Sequence, residues 1–270
     1  MSTQIISTPE TLSAVADLPT STRDAAVVLT RVTKRFNDSP GTPPVMADLS
    51  LRVDDGEFVC LLGASGCGKS TLLSLIAGLD QPTSGSIEVP AGRTALMFQE
   101  SALFPWLTAG KNIELALRLA KVPKSEWSDE VERLLDLVHL RGQADKRVHE
   151  LSGGMRQRVA LARALAQRAR ILLMDEPFAA LDAITRDVLH EELHRIWQET
   201  GLTVIFVTHN VREAVRLGQR VLLMSSRPGM FVRQWDVEVS GERRIESPAV
   251  SALASEITQD LRREIRRHGR

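Results

Sequence analysis

The sequence predicts an α/β fold built on a parallel sheet covered on both faces, and three features carry that expectation. Residues 171–174 and 204–207 are almost wholly apolar, as strands buried on both sides of a parallel sheet must be. The segment between them, 183–199, has amphipathic helical spacing, and strands alternating with helices imply crossover connections. A further apolar run, 58–62, leads into a Gly-rich turn and then another helical segment.

Taken along the chain, residues 1–24 are rich in Ser, Thr and Pro with weak periodicity and predict a mobile tail. Short β-like runs follow at 25–28, 49–53 and 58–62, with turn chemistry at 37–44 and 54–56. A helix over 71–77 stops near Gly78, and Pro82, Gly85, Pro90 and Gly92 punctuate one more strand at 86–89 before the β-rich part ends near Met97. An antiparallel β subdomain is expected there.

Segments 109–142 and 153–170 carry helical spacing (Leu115, Leu119; Leu134, Leu137, Val138; Val159, Leu161, Leu165) with charges opposite, which predicts an α-helical subdomain inserted over about 100–165. Another strand is expected at 221–224. Segment 231–239 alternates like a strand, and 248–267 reads as a helix with a basic end, so 229–270 is a short extension to a main domain over 25–228.

A chain of 270 residues that is 43% hydrophobic can bury a sizeable core. Its 34 Lys+Arg balance 34 Asp+Glu, so no global positive field gathers phosphate backbones, and nucleic acid is not expected as a partner. Cys60 and Cys67 are too few and too close for a disulfide framework, which suits a reducing, cytoplasmic setting. No apolar run reaches the roughly 18 to 20 residues of a membrane span, and no export leader is expected.

Gly63-Ala64-Ser65-Gly66-Cys67-Gly68-Lys69-Ser70 fits G-x-x-x-x-G-K-[ST] between an apolar strand and a helix, the setting a P-loop requires. Glycines let the backbone wrap a phosphate, and loop N–H groups with the positive helix end attract it. Lys69 is expected to reach the β and γ oxygens of ATP, Ser70 to ligate Mg²⁺, and Thr71 to complete the binding set. A Gly-rich β–α turn without a ligand is the plainer alternative.

Ile171-Leu172-Leu173-Met174-Asp175-Glu176 is an apolar strand ending in carboxylates. Asp175 at such an edge can hold Mg²⁺ through its waters, and Glu176 can orient and polarise an attacking water. Leu151-Ser152-Gly153-Gly154-Met155-Arg156-Gln157-Arg158 opens a helix with a Ser and a Gly pair, a second anion-binding cap by the same physics.

In that order these motifs resemble the ATP-binding cassette (ABC) ATPases, whose signature is LSGGQ, over roughly residues 26–228. The resemblance implies a P-loop NTPase (RecA-like) core and a head-to-tail dimer of two copies. Ser152, Gly153, Gly154 and Met155 would then close over the ATP of the partner copy. It further implies that Gln99 is the loop joining the lobes, a catalytic residue and a Mg²⁺ ligand. Leu181-Asp182 would face the partner, His209 would switch with the γ-phosphate, and Phe36 would stack on adenine, with core packing as the alternative for Phe36. Met155 replaces the signature Gln, and Asn210 follows His209 where Asp is frequent; the latter puts the rate in doubt through a lost charge.

Phe104-Pro105-Trp106 after Gln99, the Ser152-Gly153-Gly154-Met155 motif and Leu181-Asp182-Ala183-Ile184-Thr185-Arg186 resemble the nitrate, sulfonate and taurine importer ATPases. That resemblance implies a subunit peripheral to the cytoplasmic face of the inner membrane. It would dock on membrane permeases through Phe104 and Trp106, as exposed aromatics do at interfaces, with core packing as the alternative for both, and be served indirectly by an extracytoplasmic solute-binding protein. A soluble, non-transport ABC ATPase is the alternative. His190-Glu191-Glu192-Leu193-His194 matches the H-E-x-x-H spacing of zinc proteases; against it, Glu191, Glu192 and Arg195 read as a solvated helix face. Arg262, Arg263, Arg266 and Arg267 can meet anionic lipid or simply complement a helix dipole.

Overall fold

The computed structural model describes residues 24–36, 43–89, 94–179, 181–237 and 247–268, so the expected tail lies outside them except for Asp24. In chain order the first elements are β1 (Ala25–Lys34), β2 (Met46–Asp54), β3 (Phe58–Gly63), α1 (Lys69–Ile76), β4 (Ser84–Glu88), β5 (Thr94–Met97), α2 (Ala109–Leu119) and α3 (Trp127–Leu137). They are followed by α4 (Gly153–Leu165), β6 (Ile171–Asp175), α5 (Ala183–Thr200), β7 (Thr203–Val207), α6 (Val211–Leu217), β8 (Arg220–Met224), β9 (Phe231–Asp236) and α7 (Pro248–His268). These form two compact units, Met1–Pro90 with Thr203–Arg270, and Ala91–Leu202. The fold is α/β with a separate antiparallel sheet and a group of helices between the P-loop strand and β6, the class the sequence predicts.

In the first unit β3 pairs in parallel with β7 (Phe58 opposite Val204, Leu61 opposite Val207) and with β8 (Leu61 opposite Leu222), and β9 adds antiparallel to β8. Every residue of β3, β7 and β8 is buried, which requires cover on both faces and explains their unbroken apolar sequence. β1 lies between β2 and β4 in the antiparallel sheet. It runs six residues past the strand expected at 25–28, because Arg31 takes φ +48 and shifts the register between Leu29 and Val32. The bulge breaks the alternation on which period-2 reading depends.

Arg220, at the start of β8, is buried and forms an ion pair with Glu57, Nε to Oε1 at 2.8 Å, and donates Nη2 to the Arg52 carbonyl at 2.5 Å. Burial lifts the Glu57 carboxyl above its ordinary value even against the pull of Arg220. The folded chain therefore keeps that proton to higher pH than the unfolded chain. The corresponding stability is fully present below the unfolded value of 4.5 and is lost as pH rises through the raised one. Arg220→Met is expected to destabilise the fold by about 3–5 kcal/mol at neutral pH, since it strands a buried carboxylate. Urea unfolding at pH 8 and pH 5 checks this: the deficit shrinks at the lower pH, and a deficit equal at both would refute it.

α7 packs on α6 through one face, with Trp235 Nε1 donating to Glu256 Oε1 at 3.0 Å and Arg233 paired with the buried Asp260. Arg263 reaches Asp260 at 2.7 Å and Arg267 reaches Glu264 at 3.4 Å, so part of the basic turn is neutralised within its own helix.

In the second unit β5 pairs in parallel with β6, Thr94 opposite Ile171 and Met97 opposite Met174. α2, α3 and α4 pack on one another, and α4 also lies against β5. The helical spacing expected over 109–142 is interrupted between α2 and α3. Lys121 takes φ +62 and Pro123 disfavours helical geometry in the residue before it. Both cysteines are free and buried.

Candidate functional site

β3 delivers the chain to the P-loop at Gly63, where a Cβ would stand 2.7 Å from Cys67 Sγ and 2.8 Å from the Met224 carbonyl. Gly68 has φ +103 and caps α1 at its N-terminus with no side-chain cap and no acidic residue in the first turn. The free N–H groups of that turn are therefore left for an anion. Ser65, Gly66 and Ser70 are exposed, while Ala64, Gly68 and Thr71 are half-buried. Lys69, 6% exposed, folds back over the loop, and its Nζ donates to the carbonyls of Gly63 at 2.9 Å and Ala64 at 3.0 Å. Burial pushes the Cys67 thiol up, with Lys69 opposing, so Cys67 packs as a neutral thiol.

His209 is exposed just beyond β7. Thr208 before it is buried; its N–H donates to the Leu61 carbonyl at 3.2 Å and its hydroxyl to Glu213 Oε2 at 2.5 Å. Leu61 lies on β3 shortly before Gly63, so the P-loop and His209 leave adjacent strands at one sheet edge. Asn210 caps α6, its Oδ1 accepting the Arg212 N–H at 3.0 Å, a task Asn performs as well as Asp. Phe36, beyond β1, is 66% exposed, which removes core packing as its purpose; Lys34 Nζ sits 5.1 Å from the ring centroid. That ammonium also bonds Asp80 at 2.6 Å and holds its carboxyl below the usual range.

In the second unit, Asp175 ends β6 half-buried, and Glu176 follows it at φ +44, with its carbonyl accepting the Ala179 N–H at 3.2 Å. A left-handed glutamate is uncommon and marks a turn held by its surroundings. The parallel register of Met97 with Met174 puts Gln99 and Asp175 just past adjacent strand ends. Gln99 is exposed, and its carbonyl accepts from Gln157 Nε2 at 2.7 Å.

Ser152 caps α4, its Oγ accepting the Met155 N–H at 3.2 Å. Ser152 and Gly153 are exposed; a Cβ on Gly154 would stand 3.1 Å from Thr185 Cγ2, so the signature turn sits tightly against the start of α5. Asp182 caps α5, and its bond from the Thr185 N–H at 3.0 Å holds its carboxyl below the ordinary value. Phe104 and Trp106 are 37% and 70% exposed with ring centroids 5.5 Å apart, so they are surface residues.

The two histidines of the zinc alternative have different surroundings. His190 is buried edge-on against Phe178, whereas His194 lies against Trp197. No group of three or more His, Cys, Asp or Glu is placed to hold a metal ion among the described residues. The expected solvated face is also corrected: Glu192 is 5% exposed and is held by His139 Nε2 at 3.1 Å and by Arg195. Sequence reasoning assigned no part to Gln157, Arg163, Thr208 or Glu213. Gln157 and Glu213 are signalled only as polar residues on otherwise apolar helix faces; Thr208, between β7 and α6, and Arg163 carry no such signal.

The family model described as ABC transporter matches residues 46–179. A nitrate import ATP-binding protein of Synechocystis sp. is 43% identical over 79% of this chain and 83% of its own length. A taurine import ATP-binding protein of Jannaschia sp. is 39% identical over 80% and 84%. An aliphatic sulfonates import ATP-binding protein of Bacillus thuringiensis subsp. konkukian is 39% identical over 87% and 95%. Among solved structures, a dimeric post-hydrolysis ATP-binding cassette bound to ADP and Pi aligns with a TM-score of 0.71 at 32% identity, covering 79% of this chain and 99% of that one.

Proposed function

The chain belongs to the ABC transporter family of ATP-binding proteins, and from that membership we propose that it hydrolyses MgATP to drive import of nitrate, taurine, an aliphatic sulfonate or a similar small solute. The observation that supports this best is the edge of the first unit. There an uncapped α1 terminus, a Cβ-free cradle at Gly63 and a preplaced Lys69 stand beside the strand end that carries His209.

Each residue then has a task. The backbone of 63–71 wraps the phosphates, and Lys69 exchanges the loop carbonyls for β and γ oxygens. Phe36, exposed and unneeded by the core, stacks on adenine. Ser70, Gln99 and Asp175 offer hydroxyl, amide and carboxylate oxygens, the hard donors that suit Mg²⁺. Bound there, the ion supplies neutralisation of phosphate charge. Glu176 orients the attacking water, and His209 hydrogen-bonds the γ-phosphate and senses its loss.

Two copies pair head to tail, with Ser152, Gly153, Gly154 and Met155 over the partner's nucleotide and Asp182 facing the partner. ATP favours the closed pair, and hydrolysis removes the bridging γ-phosphate and reopens it. No described helix is long and apolar enough to cross a membrane. In this reading membrane permease subunits are the partners, and the exposed Phe104 and Trp106 are the anchors for them. The subunit would work at the cytoplasmic face of the membrane, with an extracytoplasmic binding protein presenting the solute to the permease.

Affinity capture of tagged Glu176→Gln protein from native membranes with MgATP is expected to bring down a multi-spanning protein, identified by mass spectrometry. Reproducible recovery of soluble partners alone would overturn the transporter reading in favour of a non-transport ATPase.

A further inference from the structure

Segment 99–106 of the second unit has no regular structure, yet its backbone is taken up by side chains of a single helix and its neighbour. Gln157, near the start of α4 and 5% exposed, donates Nε2 to the Gln99 carbonyl at 2.7 Å. Arg163, about 9 Å further along the helix at 1.5 Å per residue, donates Nη1 to the Ala102 carbonyl at 2.6 Å and Nη2 to the Ser101 carbonyl at 3.0 Å. Beyond them Asn112, fully buried on α2, clasps Phe104 from both sides. Its Oδ1 accepts the Phe104 N–H at 2.9 Å, and its Nδ2 donates to the carbonyls of Phe104 at 3.3 Å and Thr108 at 2.9 Å.

These polar side chains are costly where they stand. The Oε1 of Gln157 is buried with no hydrogen-bond partner among the described residues, and burial pulls the Arg163 guanidinium below its ordinary value. Methionine would fill either space with no acceptor of its own to strand and no charge to desolvate, losing only the donors to the Gln99, Ser101 and Ala102 carbonyls. What the polar groups add is a hold on the loop. At its N-terminal end the same helix carries Ser152, Gly153 and Gly154, and the far end of the held segment is the exposed aromatic pair.

We propose that Gln157 and Arg163 are positioning residues that strap segment 99–102 to α4, so that Gln99 and the Phe104–Trp106 pair follow the signature helix when it closes over a partner's nucleotide. This rests on the dimer role proposed above for Ser152, Gly153 and Gly154. Nucleotide arriving at the signature motif then moves the Mg²⁺ ligand loop and the permease anchor together, with no need for a separate relay.

The test is amide exchange of the full chain with and without MgATP, together with steady-state ATPase kinetics, for Gln157→Met, Gln157→Glu, Arg163→Met and Arg163→Lys. In the two Met variants the 99–106 amides, including the Phe104 N–H, are expected to exchange about tenfold faster, the scale of one net hydrogen bond. Segment 63–71 keeps its MgATP protection, and kcat falls while KM for ATP stays within about twofold. Gln157→Glu, which sets an acceptor against the Gln99 carbonyl, loosens the segment in the same way. Arg163→Lys, retaining one donor, recovers part of the loss. Exchange at 99–106 equal to that of the parent in both Met variants, or faster exchange spread evenly over the unit including 171–175, would overturn the inference alone. A parent chain with no MgATP protection at 63–71 would overturn the nucleotide site itself and the inference with it.

Discussion

Glu176→Gln is expected to bind ATP as tightly as the parent chain while its turnover falls at least about hundredfold, within the range a positioned acid–base group contributes. β6 reaches this residue through Ile171, Leu172, Leu173 and Met174, all buried, and the following turn is pinned by Phe178, 1% exposed, and by the Arg186 guanidinium donating to the Leu181 carbonyl at 2.6 Å. The carboxylate is thus carried on a fixed platform. Gln fits the same platform: it matches Glu in shape and meets the same backbone penalty at φ +44, so the melting temperature should move little. What it lacks is the anionic oxygen that polarises water. With the γ-phosphate uncleaved, the closed pair should persist, and size-exclusion chromatography in MgATP should show a dimer. Turnover within about threefold of the parent would remove Glu176 from the catalytic role.

The element boundaries of the candidate site were legible where they fall in contiguous residues. The P-loop, Ser152 with its Gly pair, and Asp175 with Glu176 each couple an element boundary to a charge or a glycine, so a one-dimensional pattern carries them. The fold class follows from the unbroken apolar runs of β3, β6 and β7, because only a doubly covered parallel strand is apolar on both faces. α6 is different: it has seven residues, too few for a periodic signal, and its start is marked only by the Asn210 cap. β5, four residues long, was hidden in the same way.

Exposure was not legible for Phe36, Phe104 and Trp106, since an aromatic side chain in a loop serves a core or an interface equally well on paper. Nor was the hold of Gln157 and Arg163 on segment 99–102, which joins residues 58 and more apart in sequence. Glu192 shows the opposite error. Its helical spacing from Arg195 reads as a solvated pair, but α5 buries that face, and His139 from beyond α3 adds a hydrogen bond to the carboxylate.

Lys69→Met is expected to reverse the Glu176→Gln phenotype, folding but binding ATP about ten- to a hundredfold more weakly. A hydrogen bond to a charged group is worth about 1.5–3 kcal/mol, and this ammonium reaches more than one phosphate oxygen. Its placement adds to that figure. The stem is buried and Nζ already bonds the Gly63 and Ala64 carbonyls, so most of the desolvation and ordering of the side chain is complete before nucleotide arrives. Met keeps the volume and loses the donors. The stranded carbonyls should lower stability by about 1–3 kcal/mol, a change separable from the affinity because thermal unfolding without nucleotide reports it alone. Calorimetric titration with ATP then decides between two uses of the residue. A large loss of affinity means that Lys69 leaves its loop carbonyls for the phosphates. Affinity within about twofold of the parent would mean that the loop N–H groups and the α1 terminus hold the nucleotide by themselves, with Lys69 serving only to shape the loop.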